Sequence, residues 1–193
     1  MAELKVDKFT LGVCETNFYY VYEEGKKDVI AFDPADRGEL LYQQLTAKGF
    51  HVAAICLTHG HFDHIYGNLY FDKAYLHPAD VGIANAYFKA DGFVQMMKET
   101  GRRPAEFEPV LEGTVIDLGG IELEIYETPG HTPGSIVLLD RKDRILFSGD
   151  TVIEQTWMQL PECSSLTEYR PEVEKLLTFL EREKARTGKE VRI

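Results

Sequence analysis

The segment Thr58-His-Gly-His-Phe-Asp-His64 concentrates side chains that can bind a metal ion, because it carries three of the six histidines of the chain. Imidazole nitrogens and a carboxylate at this density suit zinc, iron or manganese. The spacing allows His59 and His61 to bind one metal ion while Asp63 and His64 bind a second. The alternative to a metal site is a surface histidine tract or a helix start capped by Asp63. Metal-binding residues elsewhere in the sequence would favour the metal site.

Two later segments supply such partners. His131 lies in Thr128-Pro-Gly-His-Thr-Pro-Gly-Ser135, where two Pro-Gly pairs fix the turns on either side of it. Asp150 lies in Ser148-Gly-Asp-Thr151, directly after an apolar run. Taken alone, His131 is typical of a loop histidine and Asp150 of a residue that caps a turn. Together with the histidine-rich segment they predict three loops that converge on one metal-binding cleft.

The order and spacing of these segments resemble the metallo-β-lactamase superfamily: His-x-His-x-Asp-His, then Gly-His-Thr-Pro-Gly-Ser, then Ser-Gly-Asp. Asp33-Pro34 also fits the acidic residue that commonly ends an early strand in this family. The resemblance covers nearly the whole chain and implies an α/β fold, the αββα sandwich. In this fold two mixed β-sheets pack face to face, with helices on the outer faces and metals at one edge. We therefore expect residues 1–193 to form a single metallo-β-lactamase-like domain.

The resemblance also implies a role for each candidate ligand. It places His59, His61 and His131 on a first metal ion, Asp63 and His64 on a second, and Asp150 between the two. The implied cofactor is zinc, with up to two ions bound, and iron or manganese are alternatives. Hydroxide on the metal is available near neutral pH as the nucleophile, and Asp63 is the expected catalytic residue because it would orient that hydroxide.

One element of the family pattern is missing. The pattern usually closes with a further histidine just beyond a strand that follows the last helix, and no histidine follows His131 here. We expect the domain to lack its C-terminal end, which leaves the second metal with Asp63, His64 and Asp150 alone. Water, a buffer anion or a neighbouring chain would then complete the ligand shell. The first metal position is expected to fill better when metal is limiting.

The function implied by the resemblance is hydrolysis of an ester or thioester of a small molecule, as in the hydroxyacylglutathione hydrolase group. The helical glutathione-binding domain of the larger members of that group is missing, so the substrate itself does not carry over. Three alternatives stay open. They are a mononuclear iron persulfide dioxygenase with His59, His131 and Asp150 as ligands, a lactonase or phosphoesterase, and a binding protein with an impaired metal site.

Apolar strands must hold these loops in place. Val52–Leu57 is apolar at every position and runs directly into the histidine-rich segment, which predicts a strand buried on both faces. Ile121, Leu123 and Ile125 alternate with glutamates, which predicts an antiparallel strand with one wet face. Further strands are predicted over Phe9–Cys14, Asn17–Tyr22, Val29–Phe32, Ser135–Leu139, Arg144–Phe147 and Glu190–Ile193.

Helices are predicted between these strands. A short helix is expected to end at Gly49 as its C-terminal cap, and Val173–Leu180 marks a later helix. Ala79–Met97 is predicted to be helical with a break around Asp91. His77, which ends a predicted strand, is expected to be a neighbour of the site rather than a ligand. Four apolar side chains in this region either line a substrate pocket or pack as core: Phe88, Phe93, Met96 and Met97.

Composition limits the compartment and the partners. With 193 residues and a net charge of −11, the chain suits one domain, and its acidic surface disfavours nucleic acid and anionic membranes. A small-molecule substrate is the expected partner, and the oligomeric state is left open. No apolar run approaches the ~18 residues of a membrane span, and the first residues do not resemble a signal peptide. Three widely separated cysteines suit a reducing cytoplasm.

Overall fold

Ten strands form two β-sheets in the computed structural model, which describes residues 4–12, 14–35, 37–117 and 120–193. The six strands of the first sheet lie in sequence order: β1 (Leu4–Leu11), β2 (Thr16–Glu23), β3 (Asp28–Phe32), β4 (His51–Cys56), β5 (Ala74–Leu76) and β6 (Phe107–Pro109). The pairings of β1 with β2 and of β2 with β3 are antiparallel, and the remaining three pairings are parallel. The first sheet is therefore mixed, and its parallel part carries the histidine-rich loop.

The second sheet has the strand order β10-β9-β8-β7. Its strands are β7 (Val115–Asp117), β8 (Glu122–Glu127), β9 (Ile136–Asp140) and β10 (Ile145–Phe147). Neighbouring strands are antiparallel, and a parallel bridge joins Ile145 to Arg192 at the edge of the sheet. The strand predicted over Glu190–Ile193 is thus reduced to one bridge with two hydrogen bonds. The Leu146 backbone N–H donates to the Arg192 carbonyl at 2.8 Å, and the Arg192 N–H donates to the Arg144 carbonyl at 2.9 Å.

Five α-helices complete the described residues: α1 (Gly38–Ala47), α2 (Phe62–Ile65), α3 (Val81–Tyr87), α4 (Asp91–Thr100) and α5 (Leu166–Thr187). As predicted, α1 ends just before Gly49, whose φ of +74° is a conformation that glycine adopts readily. The central helical region is interrupted as predicted, but the break covers residues 88–90, and Asp91, near which it was predicted, begins α4. Helix α5 begins with a capping box, in which the Ser165 hydroxyl and the Glu168 carboxylate each bond the other's backbone N–H.

Three apolar clusters define four layers. Between the two sheets, Phe32 of the first sheet stacks on Phe147 of the second, with ring centroids 4.1 Å apart. On the outer face of the first sheet, α1 buries Leu41 and Leu45. On the outer face of the second sheet, Leu176 of α5 packs against three buried side chains: Val137, Leu139 and Leu146. Since helices cover the outer face of each sheet, the molecule has the predicted αββα sandwich.

The strand that leads into the histidine-rich loop is buried on both faces, as its uniformly apolar sequence predicts. Ile55 packs with the helices outside the first sheet, whereas the next residue, Cys56, packs between the sheets. Phe88 and Phe93 are also buried against the outer face of the first sheet. They belong to the core, so the pocket-lining alternative does not apply to these two side chains.

The first strand is displaced from its predicted range. β1 covers Leu4–Leu11 instead of Phe9–Cys14 because it pairs with β2 from Leu4 onward, and a turn begins at Gly12 with a φ of +76°. Val13, inside the predicted range, lies outside the described residues. Within the described part of the chain, no helix is long and apolar enough to cross a membrane.

Candidate metal centre

Three loops that follow strands meet at Thr58, the second residue after β4. The Ile136 backbone N–H, at the start of β9, donates to the Thr58 carbonyl at 2.9 Å and so brings the His131 loop against the histidine-rich loop. The third loop follows β10 and approaches Thr58 through Gly149, where an added Cβ would lie 2.3 Å from the Thr58 hydroxyl. Gly149 also has a φ of +49°, so both the close approach and the backbone require glycine there.

His59, His61 and His131 form what we call the three-histidine side of the site. Each pair of rings has its centroids 4.7 Å apart, and every one of these residues is at most 3% exposed. One ring nitrogen from each residue lies within 4.8 Å of the others. Nδ1 of His61 lies 3.0 Å from Nε2 of His131. This packing of buried ring nitrogens is typical of ligands that share one metal ion.

Hydrogen bonds fix which nitrogen of His59 is free. The Thr58 hydroxyl donates its proton to Asp33 Oδ2 at 2.8 Å, so it can only accept from His59 Nδ1, which lies 3.1 Å away. The proton of the neutral ring therefore sits on Nδ1 and leaves a lone pair on Nε2. This Nε2 atom is buried and has no hydrogen-bond partner among the described residues. A buried lone pair without a partner fits a metal ligand.

A backbone carbonyl fixes the tautomer of His131 in the same way. His131 Nδ1 lies 2.9 Å from the carbonyl oxygen of Trp157, which can only accept, so Nδ1 carries the proton and Nε2 keeps its lone pair. Burial lowers the pKa of His131. Burial, together with repulsion from His131, lowers the pKa of His61 to about 4. The three-histidine side is therefore neutral at physiological pH, the state in which imidazole binds a metal.

Asp63, His64 and Asp150 form the carboxylate side of the site. Nε2 of His64 lies 3.5 Å from Asp63 Oδ2 and 3.5 Å from Asp150 Oδ1. The other oxygen of Asp150 lies 3.5 Å from Nε2 of His131, so Asp150 reaches both sides. His59, His64 and Asp150 also bring one possible ligand atom each within 4.8 Å of one another. All six predicted ligands are thus gathered in one place.

On the carboxylate side the histidine pKa is shifted upward, whereas on the three-histidine side the histidine pKa values are shifted downward. Burial by itself would lower the pKa of His64, but the carboxylates of Asp33, Asp150 and Asp63 outweigh it and raise the pKa to about 9. The closest of them, Asp33 Oδ2, lies 3.1 Å from His64 Nδ1. Burial raises the pKa of Asp150. This side therefore stabilises a positive charge.

Several residues that support the ligands carry no local sequence signal. Thr16, at the start of β2, donates its hydroxyl to Asp63 Oδ2 at 3.2 Å. Asp80 is fully buried and contacts two of the ligand loops. The only sequence feature that points to Asp80 is its position shortly after the short strand β5. Asp33 fits the family pattern at the end of an early strand, and its contacts with Thr58 and His64 give it a physical role.

His77 lies near these residues but outside both groups of possible ligands that the described residues form. Its Nδ1 accepts the Ala79 backbone N–H at 3.2 Å, which caps a short 3-10 turn over Pro78–Asp80. Its Nε2 lies 3.1 Å from Glu127 Oε1. These contacts agree with the expectation that His77 is a neighbour of the site and not a ligand.

A cavity of about 340 Å³ lies between β8 and α5. Its walls include apolar and charged side chains: Tyr126, Phe179, Glu127, Glu172, Lys175 and Arg182. None of the six predicted metal ligands lines it. Its wall also includes Thr128, the first residue of the segment that carries His131, so the cavity adjoins that loop.

Comparison with known proteins supports the metal centre. Residues 11–187 match the family model described as the metallo-beta-lactamase superfamily. The chain is 30% identical over 159 residues to the "Probable metallo-hydrolase YqgX" of Bacillus subtilis, covering 78% of this chain and 72% of that protein. It is 33% identical over 143 residues to the human "Acyl-coenzyme A thioesterase MBLAC2", covering 65% of this chain and half of that protein.

Solved structures give the same result. The B3 metallo-beta-lactamase BLEG-1 superposes with a TM-score of 0.70 at 27% identity, covering 88% of this chain and 84% of that one. TTHA1623, solved in a di-iron-bound form, superposes with a TM-score of 0.68 at 27% identity, covering 89% of this chain and 86% of that one. Since the family model spans most of the sequence, this chain belongs to the metallo-beta-lactamase superfamily, a superfamily of metallo-hydrolases.

Proposed function

We propose that this protein is a metal-dependent hydrolase that cleaves a thioester or ester bond of a small molecule. The observation that carries the proposal is the buried group of His59, His61 and His131, in which Nε2 of His59 and Nε2 of His61 have no hydrogen-bond partner among the described residues. The relative named as an acyl-coenzyme A thioesterase supports the choice of a thioester. The net charge of −11 favours a small molecule over nucleic acid.

In this proposal the three-histidine side holds one metal ion and Asp63 and His64 hold a second, with Asp150 shared between them. Zinc suits the nitrogen-rich donor set, and iron or manganese are the alternatives, since a similar structure binds two irons. A divalent metal held by these residues supplies an acidified water as the nucleophile and polarises the carbonyl of the substrate.

The chain's own residues orient this chemistry. The side chains of Asp63 and Asp150 are 22% and 26% exposed, so they form the part of the site that a substrate can reach. Thr16 fixes Oδ2 of Asp63 by donating a hydrogen bond to it. We assign Asp63 as the catalytic residue, whose carboxylate accepts a proton from the attacking water and holds that water in line.

Metal analysis combined with a substrate panel tests the proposal. The purified protein is assayed for bound metals and then for hydrolysis of glutathione and coenzyme A thioesters, lactones and phosphoesters. We expect at least one bound zinc, iron or manganese per chain and the highest kcat/KM on a thioester. A protein that binds no metal, or that binds metal and cleaves none of these compounds, would contradict the proposal.

The persulfide dioxygenase alternative requires one iron held by His59, His131 and Asp150. The site offers more than those three ligands, because His61 lies 3.0 Å from His131 and Asp63 lies 3.5 Å from His64. This surplus favours a hydrolase with up to two metals. Oxygen uptake with glutathione persulfide by the iron-loaded protein, and none of the hydrolytic activities, would reverse the choice.

A further inference from the structure

Asp80 is a buried carboxylate that no step of the proposed reaction uses. It closes the 3-10 turn over Pro78–Asp80 after β5, and it is 0% exposed. Burial raises the pKa of Asp80, and hydrogen bonds from Thr132, Gly134 and Gly60 act against that rise. Burying a carboxylate is costly unless donors surround it, so its position calls for an explanation.

All three donors come from the two loops that carry the histidines. The Gly60 backbone N–H, between His59 and His61, donates to Asp80 Oδ2 at 2.8 Å. The Thr132 hydroxyl, next to His131, donates to the same oxygen at 2.6 Å. The Gly134 backbone N–H donates to Oδ1 at 2.7 Å. One carboxylate therefore links the loop of His59 and His61 to the loop of His131. His61 and His131, which contact each other, are 70 positions apart in the sequence.

The packing around Asp80 leaves little freedom. A Cβ added at Gly60 would lie 2.9 Å from the Asp80 carbonyl oxygen, and one added at Gly134 would lie 2.7 Å from Asp80 Oδ1. The Thr132 hydroxyl also lies 2.8 Å from the Ser135 hydroxyl, which itself accepts the Thr132 backbone N–H at 2.9 Å. The turn that follows His131 is thus fixed at both of its ends.

We propose that Asp80 is a positioning residue that sets the distance between the His59–His61 segment and His131, and thereby the metal affinity of the three-histidine side. The inference rests on the proposed metal site. Asp80 contacts no ligand side chain in the hydrogen bonds described, and it acts through the backbone of Gly60 and Gly134 and through the Thr132 hydroxyl.

The test compares Asp80→Asn with Asp140→Asn. An asparagine at position 80 would present an NH₂ group to one of the three donors, so one contact is lost while size is kept. Asp140 is an equally suitable carboxylate for control: it is 2% exposed and its Oδ1 accepts the Asp143 backbone N–H at 2.9 Å, far from the ligand loops in the second sheet. Both variants lose a buried contact, but only the first loses a link between histidine loops.

Zinc affinity by chelator competition and the visible spectrum of the cobalt-substituted protein are the two measurements. We expect Asp80→Asn to bind zinc ~10–100-fold more weakly, as for other residues that orient metal ligands, and to change the cobalt spectrum. We expect Asp140→Asn to match the wild type in both. Wild-type affinity and spectrum in Asp80→Asn, or equal losses in the two variants, would overturn the inference.

A second pair of variants decides the matter if Asp80→Asn fails to fold. Thr132→Val removes the hydroxyl that donates to Asp80, whereas Thr132→Ser keeps it. Weaker zinc binding in the valine variant than in the serine variant supports the inference, and equal binding contradicts it. These readouts concern metal alone, so a wild type that binds zinc tightly and hydrolyses nothing would contradict the proposed function and leave this comparison intact.

Discussion

The two sides of the metal centre differ in burial and in charge. The three-histidine side is buried, and burial lowers the pKa of its imidazoles, so they are neutral. The carboxylate side combines His64, whose pKa the neighbouring carboxylates raise to about 9, with the partly exposed Asp63 and Asp150. Under the proposed function, the neutral imidazoles of the three-histidine side would hold a metal ion, and the partly exposed carboxylates of the other side would face the substrate.

The largest effect is expected at His59. It is a proposed ligand on the three-histidine side and also lies within reach of His64 and Asp150, so His59→Ala should remove the first metal and weaken binding of the second. We expect hydrolysis to fall by about 10³-fold or more, because a catalytic metal lowers the barrier by several kcal/mol and each ~1.4 kcal/mol is tenfold in rate. Bound metal and kcat/KM are measured together, with circular dichroism to check the fold.

His51→Ala is the matched control, because His51 pairs with Asp28 on the surface and its side chain is 74% exposed. This variant should keep both metal and activity. Activity of His59→Ala close to that of the control would contradict the proposal that the three-histidine side holds a catalytic metal.

Asp63→Asn separates the sides. The change keeps the size of the side chain and removes the charge, so we expect kcat to fall ~10²–10⁴-fold, the usual contribution of a catalytic acid or base. Zinc should remain on the three-histidine side, as measured by metal analysis. Asp28→Asn is the control, because Asp28 Oδ1 forms a similar contact with a histidine, 2.9 Å from His51 Nδ1. A proportional loss of zinc and kcat would show that Asp63 serves metal binding alone.

Metal titration sharpens the comparison further. Because the three-histidine side presents neutral, buried lone pairs, we expect zinc to fill it first when metal is limiting. Occupancy of each position, followed by anomalous scattering from crystals soaked at increasing zinc, gives the order directly. Equal and tight filling of both positions at low zinc, with ligands from this chain alone, would remove the distinction between the two sides.

The smallest effect is expected at Thr16, which contacts Asp63 but is not a predicted metal ligand. Thr16→Val removes the hydrogen bond to Asp63, and a loss of about 1 kcal/mol lowers kcat roughly 5-fold. Thr10→Val makes the same change on β1, where the hydroxyl donates to Asn17 Oδ1 at 3.1 Å, away from the cluster. A steady-state comparison of the two variants suffices. Identical kcat values would mean that Thr16 does not orient the catalytic carboxylate.

The residues of the candidate metal centre were predictable from the sequence because their signals are local. His59, His61, Asp63 and His64 lie within one segment that follows a uniformly apolar strand, and glycine and proline mark the turn around His131. The alternation of Ile121, Leu123 and Ile125 likewise indicated β8 and its buried face, where Leu123 and Ile125 are fully buried.

The supporting contacts were not predictable, since they join residues far apart in the sequence. Asp80 reaches Gly134 across 54 positions, and Thr16 reaches Asp63 across 47. The sequence also did not determine whether Phe88 and Phe93 belong to the core, because apolar side chains occur both in cores and in substrate pockets. The displaced start of β1 shows that pairing with a neighbouring strand, a long-range property, sets where a strand begins.

The contact between His131 and Trp157 has a consequence for how new substrate preferences arise. The hydrogen bond to His131 uses the main-chain carbonyl of Trp157 and not its indole. The Trp157 residue is 58% exposed. Nearly any side chain at this position supplies the same carbonyl. Under the proposed function, the side chain at position 157 can be varied while His131 keeps its orientation, which makes this position a suitable first choice for a selection library.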